Sequence, residues 1–349
     1  MGDKSAIEWT DATWNPVTGC SKVSPGCAHC YAETVALRFW PTQYPWITPD
    51  PVVVDGKAEP SERARPRAFT DVMCHEDRLD QPLRWKKPRK VFVNSMSDLF
   101  HESVPDAFID RVFAVMALAP RHTFQVLTKR AERMRAYLAP GQYRDVKVAD
   151  AAKLQSKAII PFALPSEDIF DARRVARGEP WQINAWPLPN VWLGVSVENQ
   201  RFADERIPLL LQTPAAVRFI SAEPLLGPVD LLRIPRAGQH HDYLTGEYTG
   251  ALEKRTTSRL DWVIVGGESG AGARPMDLAW ARSIVQQCQA AGVPVFVKQL
   301  GAKPAEGLAY PGRQSFRNLH NKKGGDPSEW PEDLRVLRQF PIGSTPVPA

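Results

Sequence analysis

Six short stretches of this sequence are apolar almost without interruption, and each stops abruptly at polar residues. They are "KVFVNSMSD" (90–98), "TFQVLTKR" (123–130), "NVWLGVSVEN" (190–199), "AVRFISAEP" (216–224), "LDWVIVGGES" (260–269) and "GVPVFVKQLG" (292–301). "TWNPVTGC" (13–20) is a weaker seventh. A strand with one wet face alternates apolar and polar residues, whereas a continuous apolar run suits a strand covered on both faces of a parallel sheet. Helical patterns lie between the runs: "CAHCYAETVALRFW" (27–40), "PDAFIDRVFAVMALAP" (105–120), "KRAERMRAYLA" (129–139), "ENQRFADERIPLLLQ" (198–212) and "DLAWARSIVQQCQAAG" (277–292). In the second, Phe108, Val112, Val115 and Met116 share one side, and Pro120 stops the pattern; the last closes on Gly292, a natural terminator.

Strands alternating with helices specify an α/β fold with parallel strands. A closed barrel needs eight such units and this chain offers seven, so the sequence predicts an incomplete (β/α) TIM-type barrel. A doubly wound open sheet is the alternative. The whole of 1–349 reads as one domain. Segments 41–70, 140–188 and 235–258 show no clear periodicity and read as loop insertions; many of the 32 prolines fall in or near the first two of these or in 304–349.

In a parallel barrel the site forms at the C-terminal ends of the strands. The polar residues that stop the apolar runs are therefore the candidates. They are Thr18 and the loop after it, then Asn94, Ser95, Ser97 and Asp98, then Thr128, Lys129 and Arg130. Ser196, Glu198 and Asn199 follow the fourth run, and Ser221 and Glu223 the fifth. Gly266, Gly267, Glu268 and Ser269 end the sixth, and Lys298 and Gln299 the seventh. Strand ends meet solvent and are often polar, but here nearly every run is stopped by hydroxyl, amide or charged groups. Of these, Lys129, Arg130, Glu223, Glu268, Lys298 and Gln299 are candidates for substrate contact. "GGESGAGARP" (266–275) could expose backbone amides to an anion with Arg274 as counter-charge, or be a plain tight turn.

The loop after the first run, "TGCSKVSPGCAHCYAE" (18–33), holds three of the five cysteines: Cys20, Cys27 and Cys30. Three thiols neither pair off as disulfides nor complete a four-ligand zinc site alone. Thiolates suit zinc or iron–sulfur clusters. A zinc site needs a fourth ligand; His29 is awkwardly adjacent to Cys30, and Cys74 is a remote candidate. A four-iron cluster on three thiolates leaves one iron open for a substrate or cofactor. An uncommitted thiol cluster is the third reading. Cys288 lies on the apolar side of a helix and reads as core.

No apolar run approaches the roughly 18 residues that span a bilayer, and "MGDKSAIEWTD" lacks the apolar region of a secretory signal. The expectation is a cytoplasmic protein without a membrane partner, in a reducing compartment where clustered cysteines bind metal more often than they form disulfides. The formal charge of +5 permits a nucleic-acid partner without requiring one. "RWKKPRK" (84–90) carries five cations in seven residues beside Trp85, a combination that could contact phosphate and stack on a base, or form a solvated loop.

Seven ordered blocks, from "IEWTDATWNPVTGCSKVSPGCAHCYAE" through "VFVNSMSDLFHESVP", "VLTKR", "NVWLGVSVENQ", "RFISAEPLLGPVDL" and "DWVIVGGESGAGARP" to "KQLG", resemble the phage-associated three-Cys-motif family. That family in turn resembles the radical S-adenosylmethionine enzymes, partial (β/α) barrels with a [4Fe–4S] cluster. The resemblance implies Cys20, Cys27 and Cys30 as cluster ligands. It implies Ser95, Ser97 and Asp98 near the methionine moiety of S-adenosylmethionine, Ser196, Glu198 and Asn199 near the ribose, and the loop of Gly266, Gly267 and Arg274 near the adenine. The cysteine spacing here is C-x6-C-x2-C where the superfamily has C-x3-C-x2-C, and His29 stands where an aromatic residue usually precedes the third cysteine. By this resemblance the expected function is an iron–sulfur enzyme acting on DNA or RNA, in repair or modification, supplied by a reductant protein. The alternative is a non-enzymatic metal protein that binds nucleic acid or a partner in phage–host conflict.

Overall fold

The computed structural model describes residues 5–43, 52–54, 57–59, 65–141, 144–159, 183–232, 240–250, 254–270, 272–308, 315–335 and 337–341. All seven apolar runs form strands: β1 (Ala12–Trp14), β2 (Lys90–Val93), β3 (Thr123–Thr128), β4 (Val191–Ser196), β5 (Val217–Ala222), β6 (Trp262–Gly266) and β7 (Val295–Gln299). They pair side by side in chain order, every pair parallel. The sheet curls into a half barrel; among the described residues β1 and β7 do not pair with each other. The expected incomplete (β/α) barrel is thus the architecture found.

Five helices stand where the 3.6-residue patterns put them, α1 (Tyr31–Gln43), α2 (Asp106–Leu118), α3 (Ala131–Leu138), α5 (Gln200–Leu211) and α6 (Leu278–Ala291), and one, α4 (Arg144–Ile159), falls where the sequence shows no clear periodicity. Local chemistry sets their ends. Asn199 and Asp277 accept from the first-turn amides of α5 and α6, at 3.4 and 3.0 Å. Gly292 ends α6 in the left-handed region at φ 67°, where a Cβ would be strained.

Two apolar layers follow from the strands' two-residue period. Outward residues such as Val91, Val93, Phe124, Val126, Leu193, Val195, Val263 and Val265 pack with Phe108, Val112, Ile207, Leu210 and Ile284 of the helices in the main core. Inward residues form a separate, largely aromatic cluster of Trp9, Trp192, Phe219, Trp262, Ile264 and Phe296, flanked by Phe92, Leu127, Val217 and Phe340. Gly194 exists for this cluster: a Cβ there would lie 2.6 Å from the Phe219 ring. The inward positions shrink toward the C-terminal ends, from Trp192 through Gly194 to Ser196 on β4 and from Trp262 through Ile264 to Gly266 on β6. A solid aromatic floor therefore gives way to an open mouth.

Residues 337–340 close the far side. Val297 donates to the Leu337 carbonyl at 2.7 Å and Gln339 to that of Val295 at 3.1 Å, pairing this segment antiparallel with β7. Phe340 stacks near Trp262, with ring centroids 5.4 Å apart.

The proposed insertions contain more regular structure than their sequences announce. Helix α4 lies inside 140–188 and buries Val148, Ala149 and Ala152, a short stripe too weak to stand out. Polar groups also tie it to α2, where Arg144 bonds Asp106 at 2.5 Å and Asp110 at 3.1 Å, and to α3, where Arg144 donates to the Tyr137 carbonyl at 2.8 Å. Within 235–258, His240–His241, Glu247–Thr249 and Lys254–Thr256 form an antiparallel meander, and in 41–70 Val52–Val54 pairs with Lys57–Glu59. Within these three segments, residues 44–51, 55–56, 60–64, 142–143, 160–182, 235–239 and 251–253 lie outside the described residues.

Candidate functional site

A cavity of about 260 Å³ opens at the C-terminal mouth of the half barrel, and residues at or just beyond the ends of all seven strands line it. Cys20, Cys27 and Cys30 are all on its wall, half-exposed and free of disulfides. Cys20 is held by backbone on both sides: Gly19 donates to the Met96 carbonyl at 3.1 Å and Cys20 to that of Phe69 at 2.9 Å. Cys27 ends a single tight turn, Pro25–Cys27, and Cys30 immediately precedes α1. Burial, reinforced by Asp98, pushes the Cys20 thiol up to about 11 against the pull of Arg130. Free Cys20 is therefore protonated at neutral pH, and a bound metal would have to displace that proton.

Arg130 is the cation at this sulfur. Its Nη1 stands 3.6 Å from Cys20 Sγ and 3.2 Å from Asp98 Oδ2. Its other nitrogens donate to Glu102 at 2.9 Å and to the Ser21 hydroxyl at 2.8 Å. The guanidinium is 8 % exposed, so its charge is little screened. Ser21 is held in addition by His101 at 2.9 Å, and the Ser103 amide donates to the other ring nitrogen of that histidine. Sequence reading missed Ser21, His101 and Glu102, because nothing local marks a residue whose partner is a distant arginine.

The four carboxylates near the mouth are already engaged. Asp98 accepts from the Phe100 amide, the Thr128 hydroxyl, the Lys129 amide and Arg130, at 2.7 to 3.2 Å. Those four donors use the roughly four acceptor positions of a carboxylate. Glu223 takes Lys298 at 2.6 Å and Gln299 at 3.2 Å. Burial raises the pKa of Glu268, but Arg274, through side chain and backbone, together with His29 outweighs it and holds the group down to about 2. Glu198 is fully buried, 3.0 Å from Arg206 and 3.8 Å from Lys129, and accepts from the Ser24 hydroxyl at 2.6 Å.

The candidate residues divide accordingly. Ser95, Ser97, Asp98, Lys129, Arg130, Ser196, Glu223, Gly267, Glu268 and Gln299 line the cavity with the cysteines. Ser95 and Ser97 also tie down the first strand's loop, through Asn15 at 3.2 Å and the Val17 carbonyl at 2.9 Å. Lys129 reaches the Ser196 hydroxyl at 3.1 Å. Glu198, Asn199, Gly266, Arg274 and Lys298 are not on the wall: Glu198 lies behind the cysteine loop, Asn199 caps α5, Gly266 abuts Glu223, Arg274 backs Glu268 and Lys298 backs Glu223. The "RWKKPRK" stretch precedes β2 and so lies at the opposite end of the sheet from the mouth, with Trp85 only 7 % exposed and packed in the main core. That Trp cannot offer a face to a base.

Three free thiols on one cavity wall are a donor set that an iron–sulfur cluster can use. Three thiolates on a single zinc ion at about 2.3 Å would stand about 3.8 Å from one another. Among the described residues no three His, Cys, Asp or Glu side chains converge in that way. Three thiols spread around one cavity can each take a different iron of a cube. Cys74 pairs in a two-residue strand with Val17, packs against the core and is not on the wall; burial pushes it up to about 11. Cys288 is core, pushed up to about 12. Among the described residues no helix is long and apolar enough to cross a membrane.

The model of a family described as "Protein of unknown function (DUF5131)" matches residues 4–329. No curated protein and no solved structure matches the chain.

Proposed function

The chain belongs to the DUF5131 family, and we propose that it is a radical-SAM-like [4Fe–4S] enzyme acting on nucleic acid, in DNA repair or modification. The observation that carries the reading is the meeting of Cys20, Cys27 and Cys30 on one cavity at the C-terminal mouth of a parallel half barrel. The resemblance to the phage-associated three-Cys-motif family supplies the cluster type and the second cofactor. A cluster held there would supply single electrons and one iron open to S-adenosylmethionine.

The chain's own residues then have definite tasks. The three cysteines would give up their protons to hold the cluster. Arg130 would offset the negative charge that collects at Cys20. Asp98, Glu198 and Glu268 are held by arginines, and Glu223 by Lys298 and Gln299 through one of its oxygens. Lys129, Ser196 and Gln299 present polar groups to whatever enters above Phe92 and Leu127, which supply the apolar part of the floor. The excess of Lys and Arg over Asp and Glu, 44 against 39, leaves room for a polyanionic substrate. With "RWKKPRK" remote, its approach falls to the cations on the cavity wall, Lys129 and the less exposed Arg130.

Anaerobic reconstitution with iron and sulfide tests the reading. The wild-type protein should take up both and gain visible iron–sulfur absorption, and the triple Cys→Ala variant should not. On reduction with S-adenosylmethionine present, 5′-deoxyadenosine should form. A wild-type protein that binds zinc but neither iron nor sulfide overturns the cluster; a reduced cluster that leaves S-adenosylmethionine intact overturns the enzyme and favours the metal-binding alternative.

A further inference from the structure

The cysteine loop is fastened at two points by carboxylates from the tips of two different strands. Glu198, just beyond β4, accepts from the Ser24 hydroxyl at 2.6 Å. Gly26 presses so closely on the same side chain that a Cβ would lie 2.5 Å from its Oε1 and 2.7 Å from its Cγ. Glu268, just beyond β6, pairs with His29 Nδ1 at 3.0 Å. Neither carboxylate is free to follow the loop. Arg206 holds Glu198 at 3.0 Å, and Arg274 holds Glu268 through two side-chain nitrogens and its backbone amide, at 2.5 to 2.9 Å.

The fastened residues alternate with the ligands along the chain: Ser24, Gly26, Cys27, His29, Cys30. Ser24 and Gly26 lie in the six-residue spacer between Cys20 and Cys27 that makes this loop longer than the superfamily's. The spacer is thus an attachment to β4, and His29 an attachment to β6. Both pull Cys27 and Cys30 toward the β4–β6 side, while Cys20 is pinned by backbone bonds to Met96 and Phe69 on the other. Among the described residues the three thiols are not already grouped as one ion requires, and drawing them together would work against these fastenings.

We infer that Glu198 and Glu268 are specificity-determining positioning residues: through Ser24 and His29 they hold the cysteine loop open to a width that admits a polynuclear iron–sulfur cluster and disfavours a single zinc ion. The inference rests on the cluster reading above. Its chemistry is geometric and involves no electron or proton transfer.

The test uses loop-side variants that leave both buried carboxylates paired with their arginines: Ser24→Ala, His29→Ala and the double variant, in the full chain. Zinc affinity is read by competition with a chromophoric chelator, and cluster loading by iron and sulfide analysis after anaerobic reconstitution. Each fastening is a net hydrogen bond to a charged group, so its loss should tighten zinc by about tenfold and lower cluster occupancy. Glu268→Gln, which weakens the grip on His29, should move both readouts the same way. Zinc affinity that is unchanged or weaker in the double variant, with wild-type cluster loading, overturns the inference. Weaker zinc binding in His29→Ala alone would make His29 a ligand, which also overturns it. Failure of the wild-type protein to load a cluster would instead sink the parent reading, so the two failures are distinct.

Discussion

Arg130 Nη1 lies 3.6 Å from the sulfur of Cys20, the one cysteine of the three for which an arginine contact is found among the described residues. The guanidinium is fixed by Asp98, Glu102 and Ser21, so it is in place whether or not a cluster is bound. Hydrogen bonds and positive charge at a ligating sulfur favour the reduced, more negative state. Arg130→Gln should therefore shift the reconstituted cluster to a more negative potential, by about 60 mV if the lost stabilisation is one factor of ten for a one-electron couple. A redox titration followed by electron paramagnetic resonance reads it. An unmoved or more positive potential would show that Arg130 serves the loop alone.

Gly26→Ala places a methyl carbon 2.5 Å from Glu198 Oε1. Glu198 is fully buried and paired with Arg206, so the loop must lift rather than the glutamate withdraw. Iron retained after reconstitution should drop severalfold, while urea denaturation of the barrel changes by less than about 1 kcal/mol, as for most substitutions away from a core. Full retention of iron would mean that the loop accommodates the methyl group without losing its hold.

Gly194→Ala meets the Phe219 ring at 2.6 Å, inside the aromatic floor. Overpacking of that kind costs about 1–3 kcal/mol, measurable by equilibrium urea denaturation. Combining it with Phe219→Leu should recover part of the loss, because the smaller side chain vacates the same space.

His122 is 1 % exposed and bonds the Pro82 carbonyl at 3.0 Å. Burial, helped by Arg121, lowers its pKa from the ordinary 6.5 to about 4. Between those values the unfolded chain binds a proton that the folded one refuses, so stability falls as pH drops from 6.5 toward 4 and this contribution levels off below. Buried His75 and His101 are displaced in the same direction. His122→Gln should flatten the pH dependence of thermal unfolding across that window. An unchanged slope would assign the loss to other groups.

What could be read from the sequence, and what could not, follows the range of the interactions. The strands declare themselves because a doubly covered strand needs a continuous apolar run, and "NVWLGVSVEN" and "LDWVIVGGES" are such runs. Even the floor is visible in retrospect, in the two-residue steps Trp192, Gly194, Ser196 and Trp262, Ile264, Gly266. The three cysteines stand out by spacing alone. Helix α4 is obscure because its buried stripe is only Val148, Ala149 and Ala152, and the pairing of Arg144 with Asp106 and Asp110 that also holds it leaves no apolar period. Glu198 looks like one more polar strand end; its burial depends on Ser24, 174 residues earlier, and on Arg206. "RWKKPRK" misleads for the opposite reason, since its composition advertises contact while its place before β2 puts it at the wrong end of the sheet.

Trp262 is touched by Trp9 from one end of the described chain and by Phe340 from the other, at centroid distances of 6.2 and 5.4 Å. During synthesis the ribosome delivers these three rings far apart in time. Until residue 340 has emerged, the underside of the nascent sheet stays wet and its tryptophans stay available to chaperones or to other nascent chains. The vessel is sealed from below last, after every strand that forms its wall has been made.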